Sequence, residues 1–312
     1  MIDVSSPIAT PFRTQWSVEP RTDFEFRTGI ITSADGTEQR TPKNRYPSAK
    51  IRFTCMARDY AHAQRITDMM PQMTTSALAI RDFRMGGEGV VSTNGASVQL
   101  FRWSASWAVG VRVILEDELG LQEHTALITG ADPVSRTLSL GAPAPSGLRG
   151  SHVGVASALV CSLDGDLASE FKHSGAVSWD VAATSFRGID PIGGAPLSAF
   201  PFTHGSPEAM RVTASRNVLG LDFGVGRRSE VLGYGAGTSG FRTFQIEARQ
   251  MSQQSKESLV SFFCGVRGRL RSFTAPELVP DARFRMGSDI LSISHRSGDV
   301  SSATLNVIQV LR

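Results

Sequence analysis

The segment Ala49-Lys50-Ile51-Arg52-Phe53-Thr54-Cys55-Met56-Ala57-Arg58 alternates apolar and polar residues before a longer period takes over. Alternation at period two puts one face of a strand in a core and the other in water. From Asp59 to Met73 the apolar positions become Ala61, Ile66, Met69, Met70 and Met73, roughly one helical face, which predicts a helix over 59–73. A second strand, Arg242-Thr243-Phe244-Gln245-Ile246-Glu247-Ala248-Arg249, leads in the same way into a helix over 251–265 carrying Leu259, Phe262 and Phe263. Ser252 or Ser255 is its expected N-cap, and Gly265 or Gly268 its stop. Phe53 matches Phe244 and Arg58 matches Arg249 at one offset of 191 positions. Phe83-Arg84-Met85 and Phe284-Arg285-Met286 repeat at an offset ten residues larger, so two strand–helix–strand copies with different loops are expected. The methionines read as core filler.

Outward from these copies the chain is β-patterned. Asp35-Gly36, Asn94-Gly95 and Asp164-Gly165 are type I′ hairpin signals. Val90 and Val91 before Asn94-Gly95, with Val98, Leu100 and Trp103 after it, predict a hairpin, and Trp107 to Leu115 is expected to extend it as a meander. Residues 126–128, 137–140 and 152–155 read as short strands of a small barrel-like insertion. Near the C-terminus, Asp289 to Ile293 and Ala303 to Ile308 alternate around a Ser297-Gly298 turn. The fold class expected is mainly β: two β-sandwich or barrel-like domains, each with one helix, and a small β-barrel-like insertion between them. The limits are an extended arm over 1–20, a first domain over 21–110, the insertion over 111–162, and return strands over 163–190. A Gly/Pro-rich linker over 191–207 and a second domain over 208–312 complete the chain.

Composition narrows the function. Of 312 residues, 41% are hydrophobic and 20% charged, enough apolar material for a core and too much for a disordered chain. The net charge is +3, and only four of the 32 cations are lysines (Lys43, Lys50, Lys172 and Lys256). The arginines stand singly among acids, which argues against nucleic-acid recognition and suits polar protein interfaces. Cys55, Cys161 and Cys264 form no CxxC pair and read as small buried residues. No apolar run reaches 18 residues, and Met1-Ile2-Asp3-Val4-Ser5 lacks the order of a signal peptide. A chain made in a cytoplasm and without membrane insertion is therefore expected.

The six histidines (His62, His124, His152, His173, His204 and His295) show no metal-binding spacing, and no GxSxG elbow is present. Gly235-Ala236-Gly237-Thr238-Ser239-Gly240 fits GxGxxG but runs into a strand rather than a helix, so it reads as a hairpin tip. Asp164, Asp166 and Glu170 lack the order of an EF-hand and read as a solvated turn. The expectation is no catalytic residue, no metal and no cofactor. Arg267-Gly268-Arg269-Leu270-Arg271 beside Phe273 is a basic cluster suited to acids on a neighbouring subunit.

Gly29 to Arg40, containing Asp35-Gly36-Thr37-Glu38-Gln39-Arg40, followed by Pro42, Arg45 and Pro47 before a strand, resembles a signature of distal-tail or upper-baseplate structural proteins of long-tailed bacteriophages. Gly268-Arg269, Phe273 and Pro276 after the second helix resemble a further element of that family. The resemblance implies a virion protein of the tail tip that is not an enzyme. It would form a ring-like homo-oligomer, trimer or hexamer, linking tail tube, hub and receptor-binding proteins. Interface candidates under it are Asp35, Gly36, Glu38, Gln39, Arg40, Arg45, Arg267, Arg269, Arg271 and Phe273. The segment with Pro7, Pro11 and Pro20 is expected to order on another subunit. The alternative is a carbohydrate-binding or glycan-cleaving β protein, motivated by Trp103, Trp107 and Trp179 among scattered carboxylates.

Overall fold

The structure, a computed structural model, describes residues 4, 7–32, 38–104, 107–118, 122–165, 167, 169–171, 176–186, 188, 200–201, 209–215, 218–222, 227–231, 241–276, 278, 282–296 and 300–310. The Asp35-Gly36 and Ser297-Gly298 turns, Asp166, the Gly235–Gly240 stretch and most of the 191–207 linker lie outside them. The first elements are β1 (Ile8–Ala9), β2 (Arg21–Glu25), β3 (Thr28–Thr32), β4 (Glu38–Pro42), β5 (Ser48–Met56), α1 (Tyr60–Thr75) and β6 (Leu78–Val91). Next come β7 (Ser97–Leu100), β8 (Arg112–Glu116), β9 (Gln122–Asp132), β10 (Thr137–Leu140), β11 (His152–Leu163), β12 (Ser169–Phe171) and β13 (Val177–Ser185). The last are β14 (Ala209–Ser215), β15 (Val218–Asp222), β16 (Arg227–Val231), β17 (Phe241–Met251), α2 (Gln253–Val266), β18 (Phe273–Thr274), β19 (Arg283–Met286), β20 (Ile290–His295) and β21 (Ser301–Val310).

The fold is mainly β, and its apolar residues gather in three cores. The first lies between α1 and strands β5, β13, β11 and β6, where Ile51, Phe53, Ile66, Met73, Leu78, Cys161 and Trp179 meet. α1 starts at its N-cap Asp59, whose side chain accepts from the His62 backbone N–H.

The expected N-terminal arm instead belongs to this module. Ile8 and Ala9 run parallel to Leu78 and Ala79 on β6, and Thr14 bridges to Cys55 on β5. Residues 8–14 thus pass from one edge of the module to the other. His62 accepts from the Arg58 N–H at Nδ1 and donates from Nε2 to the Pro11 carbonyl, 2.6 Å away. Phe12, 2% exposed, packs edge-on against Phe53 at 5.8 Å. The prolines suggested a segment with little to bury; Ile8, Phe12 and Trp16, one apolar residue every fourth position, were the contrary signal.

The insertion is a closed barrel. β6 pairs with β7, β7 with β10, β10 with β9, β9 with β8, β8 with β11, and β11 with β6, all antiparallel, so six strands form a ring. Closure removes the open edges that invite aggregation. Its core runs from Met85 to Val155, so the limits 111–162 were misplaced: the Asn94-Gly95 hairpin and the ends of β6 and β11 belong to it. The run from Trp107 does not continue a meander, because β7 takes β10 as its neighbour and β8 pairs with β9 and β11. The hairpin at Asn94 is real but not type I′. Gly95 donates to the Ser92 carbonyl and alone takes positive φ, +75°. Asp164-Gly165 joins no hairpin either: β11 and β12 line up along one edge of β13, and the dipeptide interrupts that line.

The second core packs α2 against β17, β19, β20 and β21, and takes Phe24 and Phe26 from the N-terminal part. β2 pairs with both β5 and β20, so one sheet runs through the two halves instead of stopping at a linker. Phe200, within the predicted linker, is buried in this core and stacks on Phe273 at 5.7 Å. The repeat is local. Both helices end at the same offset, at Thr75 and Val266, but β13 and β11 separate β5 from β6 whereas β21 alone separates β17 from β19. The third strand therefore runs antiparallel to the first in one copy and parallel to it in the other.

The modules meet at a buried polar joint. On β11 only Ser157 lies between Ala156 and Ala158, whereas on β6 Asp82 to Met85 lie between their partners Gly86 and Arg81. Four residues therefore leave the ladder. Lys256 of α2, fully buried, donates to the Phe83 carbonyl at 3.0 Å, and Gln253 donates to the Arg84 carbonyl. Asp82 and Arg84 pair at 2.6 Å, with Arg84 also over the Phe24 ring. Burial works against the Asp82 charge, but Arg84, by charge and hydrogen bonds, and Lys256 together hold its carboxyl below the usual range. His295 stacks on Phe83 and hydrogen-bonds with Thr22 and Ser301; burial, reinforced by Lys256, pushes its pKa down to about 3.

Two consequences can be measured. Phe12→Ala should cost roughly 3–5 kcal/mol in urea unfolding, because it opens a cavity where the N-terminal segment closes the first module; a change within error would show that the segment does not hold it. Because His295 binds its proton more weakly folded than unfolded, stability is full above pH 6.5 and falls as pH drops toward 3. At the limiting slope, about 2 kcal/mol goes between pH 7 and pH 5. Asp82, held low, keeps its charge throughout that window. His295→Gln should flatten the decline, and equal declines in the two proteins would rule His295 out as its source.

Candidate functional site

Two features stand apart from the cores. The first is the β3–β4 ribbon, a two-stranded sheet whose base is fixed to the second module. α2 ends at Arg267, which adopts the left-handed conformation (φ 54°), and Gly268 follows with φ +58°. A Cβ on Gly268 would sit 2.7 Å from Asp289 Oδ1, so glycine is required for both conformation and space. The Asp289 carboxylate accepts from the Arg269 N–H (2.8 Å), the Thr28 N–H (3.1 Å) and the Thr28 hydroxyl (3.0 Å). Arg40 on β4 donates to the Arg269 carbonyl at 2.8 Å. Helix end, ribbon base and β20 are thereby joined at one carboxylate.

The structure thus brings Arg40 and Arg269 together beside Arg267. It does not gather the rest. Asp35 and Gly36 lie outside the described residues, as does the Glu38 side chain; Gln39 is exposed on the ribbon. Arg45 lies over Tyr46 at 5.1 Å, and exposed Arg271 reaches the Gly265 carbonyl at 3.4 Å. Phe273 is a correction: 5% exposed and 4.9 Å from Phe262, it is a core residue, since β18 turns it inward against α2. Asp289 and Thr28 were missed. Asp289 was read as the start of an alternating strand, and only its place after Gly287-Ser288 hinted at a capping acid.

The second feature is a cleft of about 900 Å³ where the first module, the barrel and Arg296 of the second module meet. Trp16 and Arg81 form one wall, with the guanidinium 5.3 Å from the Trp16 ring and ion-paired to Glu116. Phe101 and His152 form another, their rings 5.3 Å apart. Glu88, Arg102 and Glu118 are exposed around it, and Gly86 and Gly87 line its β6 side. The tryptophan grouping behind the glycan alternative is not assembled, because Trp107 and Trp179 are buried in two different cores.

Among the described residues no three His, Cys, Asp or Glu side chains gather as a metal site, and no helix is long and apolar enough to cross a membrane. All three cysteines are buried. Burial pushes the Cys55 thiol up to about 12 and Cys161 upward as well, so neither is a thiolate at neutral pH.

Asp289→Ala should speed amide exchange throughout β3 and β4 and lower stability by roughly 2–3 kcal/mol, because two backbone donors lose a charged acceptor. Unchanged exchange in the ribbon would show that Asp289 does not anchor it.

No protein-family model matches the chain, and no curated protein matches its sequence.

Proposed function

We propose that this chain is a structural subunit of the tail end of a long-tailed bacteriophage, a distal-tail or upper-baseplate protein. It associates with copies of itself in a closed ring, trimer or hexamer, and links the tail tube to the hub and receptor-binding proteins. The observation that carries the reading is the anchored ribbon. A lone two-stranded hairpin is marginal in water, yet β3–β4 pairs with no other strand among the described residues and presents Ile31 with 66% of its surface exposed. Its base is clamped by Asp289 and Arg40. A ribbon held at its root with an apolar residue outward is suited to reach a neighbour, and a repeated contact of this heterologous kind closes a ring where its rotation permits. β15 and β16 form a second ribbon that pairs only with itself among the described residues. The tail-protein resemblance lies on the first ribbon, around Glu38-Gln39-Arg40.

The test is microscopy of tailed particles made by the virus or lysogen that encodes the chain, labelled with antibody to it. Label at the distal tail end, with the chain in a ring of three or six copies, is the expected result; Ile31→Glu should yield particles lacking that ring while the isolated chain keeps its circular-dichroism spectrum. Particles without label, or a single copy per tail, would sink the proposal.

A further inference from the structure

We propose that the cleft between the first module and the barrel is a binding site for a neutral oligosaccharide. The tail-end reading neither requires this nor supplies its argument. At about 900 Å³ the cleft lies within the ~300–1,000 Å³ range of ligand sites, and it sits at a junction of modules, where such sites concentrate.

Its lining selects the ligand chemistry. Phe101 is 43% exposed, in a chain whose other phenylalanines mostly fill cores. Its backbone is fixed on both sides, donating to the Glu88 carbonyl at 2.9 Å and accepting from Arg136 at 2.8 Å. A ring held in place and left open is a platform for the apolar C–H face of a sugar, with little ordering left to do on binding. Trp16 supplies a second ring in the lining, half-buried and with Arg81 over it.

The charges point the same way. Three arginines and four carboxylates line the cleft, and its best-buried ones are already joined in the Arg81–Glu116 pair, with side chains 12% and 7% exposed. A ligand with a net charge would meet both signs on this lining, drawn by one set of side chains and repelled by the other. An apolar ligand would strip water from Glu88, Arg102 and Glu118 with nothing in return. Hydroxyl groups do neither, since each donates to a carboxylate and accepts from a guanidinium. The room comes from Gly86 and Gly154: a Cβ built on the first would sit 3.3 Å from Arg81 and one on the second 3.1 Å from Glu116, so these two glycines keep that face of the cleft clear.

Purified full-length chain is titrated calorimetrically with neutral dextran, maltose, chitin and β-glucan oligosaccharides. Wild type should bind at least one saturably, and Phe101→Ala and Trp16→Ala should each weaken it about tenfold or more. Phe186→Ala, which removes an exposed ring outside the cleft, should bind as wild type does. Melting curves establish that each variant is folded. Binding to none of these sugars, wild-type affinity in both cleft variants, or binding of acidic or basic peptides in their place would overturn the proposal. Light scattering on the same samples reports self-association separately, so loss of sugar binding with assembly intact fails this inference alone.

Discussion

Lys256 is a fully buried ammonium, and its contact with the Phe83 carbonyl sets how the two halves of the molecule are placed. Burying an unpaired cation costs several kcal/mol, so α2 settles where that charge is answered. The answer exists only because β6 leaves the ladder between Arg81 and Gly86. In a regular strand the carbonyls of Phe83 and Arg84 would point at neighbouring strands; displaced from it, they accept from Lys256 and Gln253. Asp82 completes the arrangement by neutralising one of two buried cations while Arg84 lies over Phe24. A shifted helix would leave a charge and two carbonyls unsatisfied at once, which makes this joint more selective than apolar packing alone.

Around that joint the three cores are fastened by strands that serve two masters. β2 pairs with β5 on one side and β20 on the other, and β6 and β11 run from the first module into the barrel. Hydrogen-bonded strands crossing between cores resist hinge motion far better than a flexible connection does. The cleft is the space left where these crossings diverge: β6, β8 and β11 supply part of its lining, and Trp16, Phe101, Arg102, Asp117, Glu118 and Arg296 enter it from the connections between elements.

Local structure was legible because period and capping are local. β10 falls on Thr137–Leu140 as its alternation indicates, and α2 starts after Ser252 and stops at Arg267-Gly268. Partnership was not legible. Alternation says which face is buried but nothing about which strand lies alongside, so the run after Trp107 was given the wrong neighbour. The matching Phe-Arg-Met triplets concealed opposite fates: Phe284-Arg285-Met286 pairs regularly with β21, whereas Phe83 and Arg84 form the displaced joint. Half of the ribbon anchor was visible as Arg40 and Arg269. Asp289 was not, since a carboxylate binding backbone N–H groups 20 and 261 positions away leaves no spacing to find.

The ribbon and the joint are linked through one helix. α2 begins where Gln253 and Lys256 hold β6, and ends where Arg267 and Gly268 present backbone groups to Asp289 and Arg40. Its apolar face, Leu259, Val260, Phe262 and Phe263, fills the second core between these ends, and Phe263 touches Phe26 just before the ribbon starts. A force applied to the ribbon therefore meets charge-assisted hydrogen bonds at its root, then a packed aromatic core, then a buried lysine. Each of these is costly to break. A ribbon fixed in this way would pass load from a neighbour into the second core, as the proposed attachment at a tail end requires.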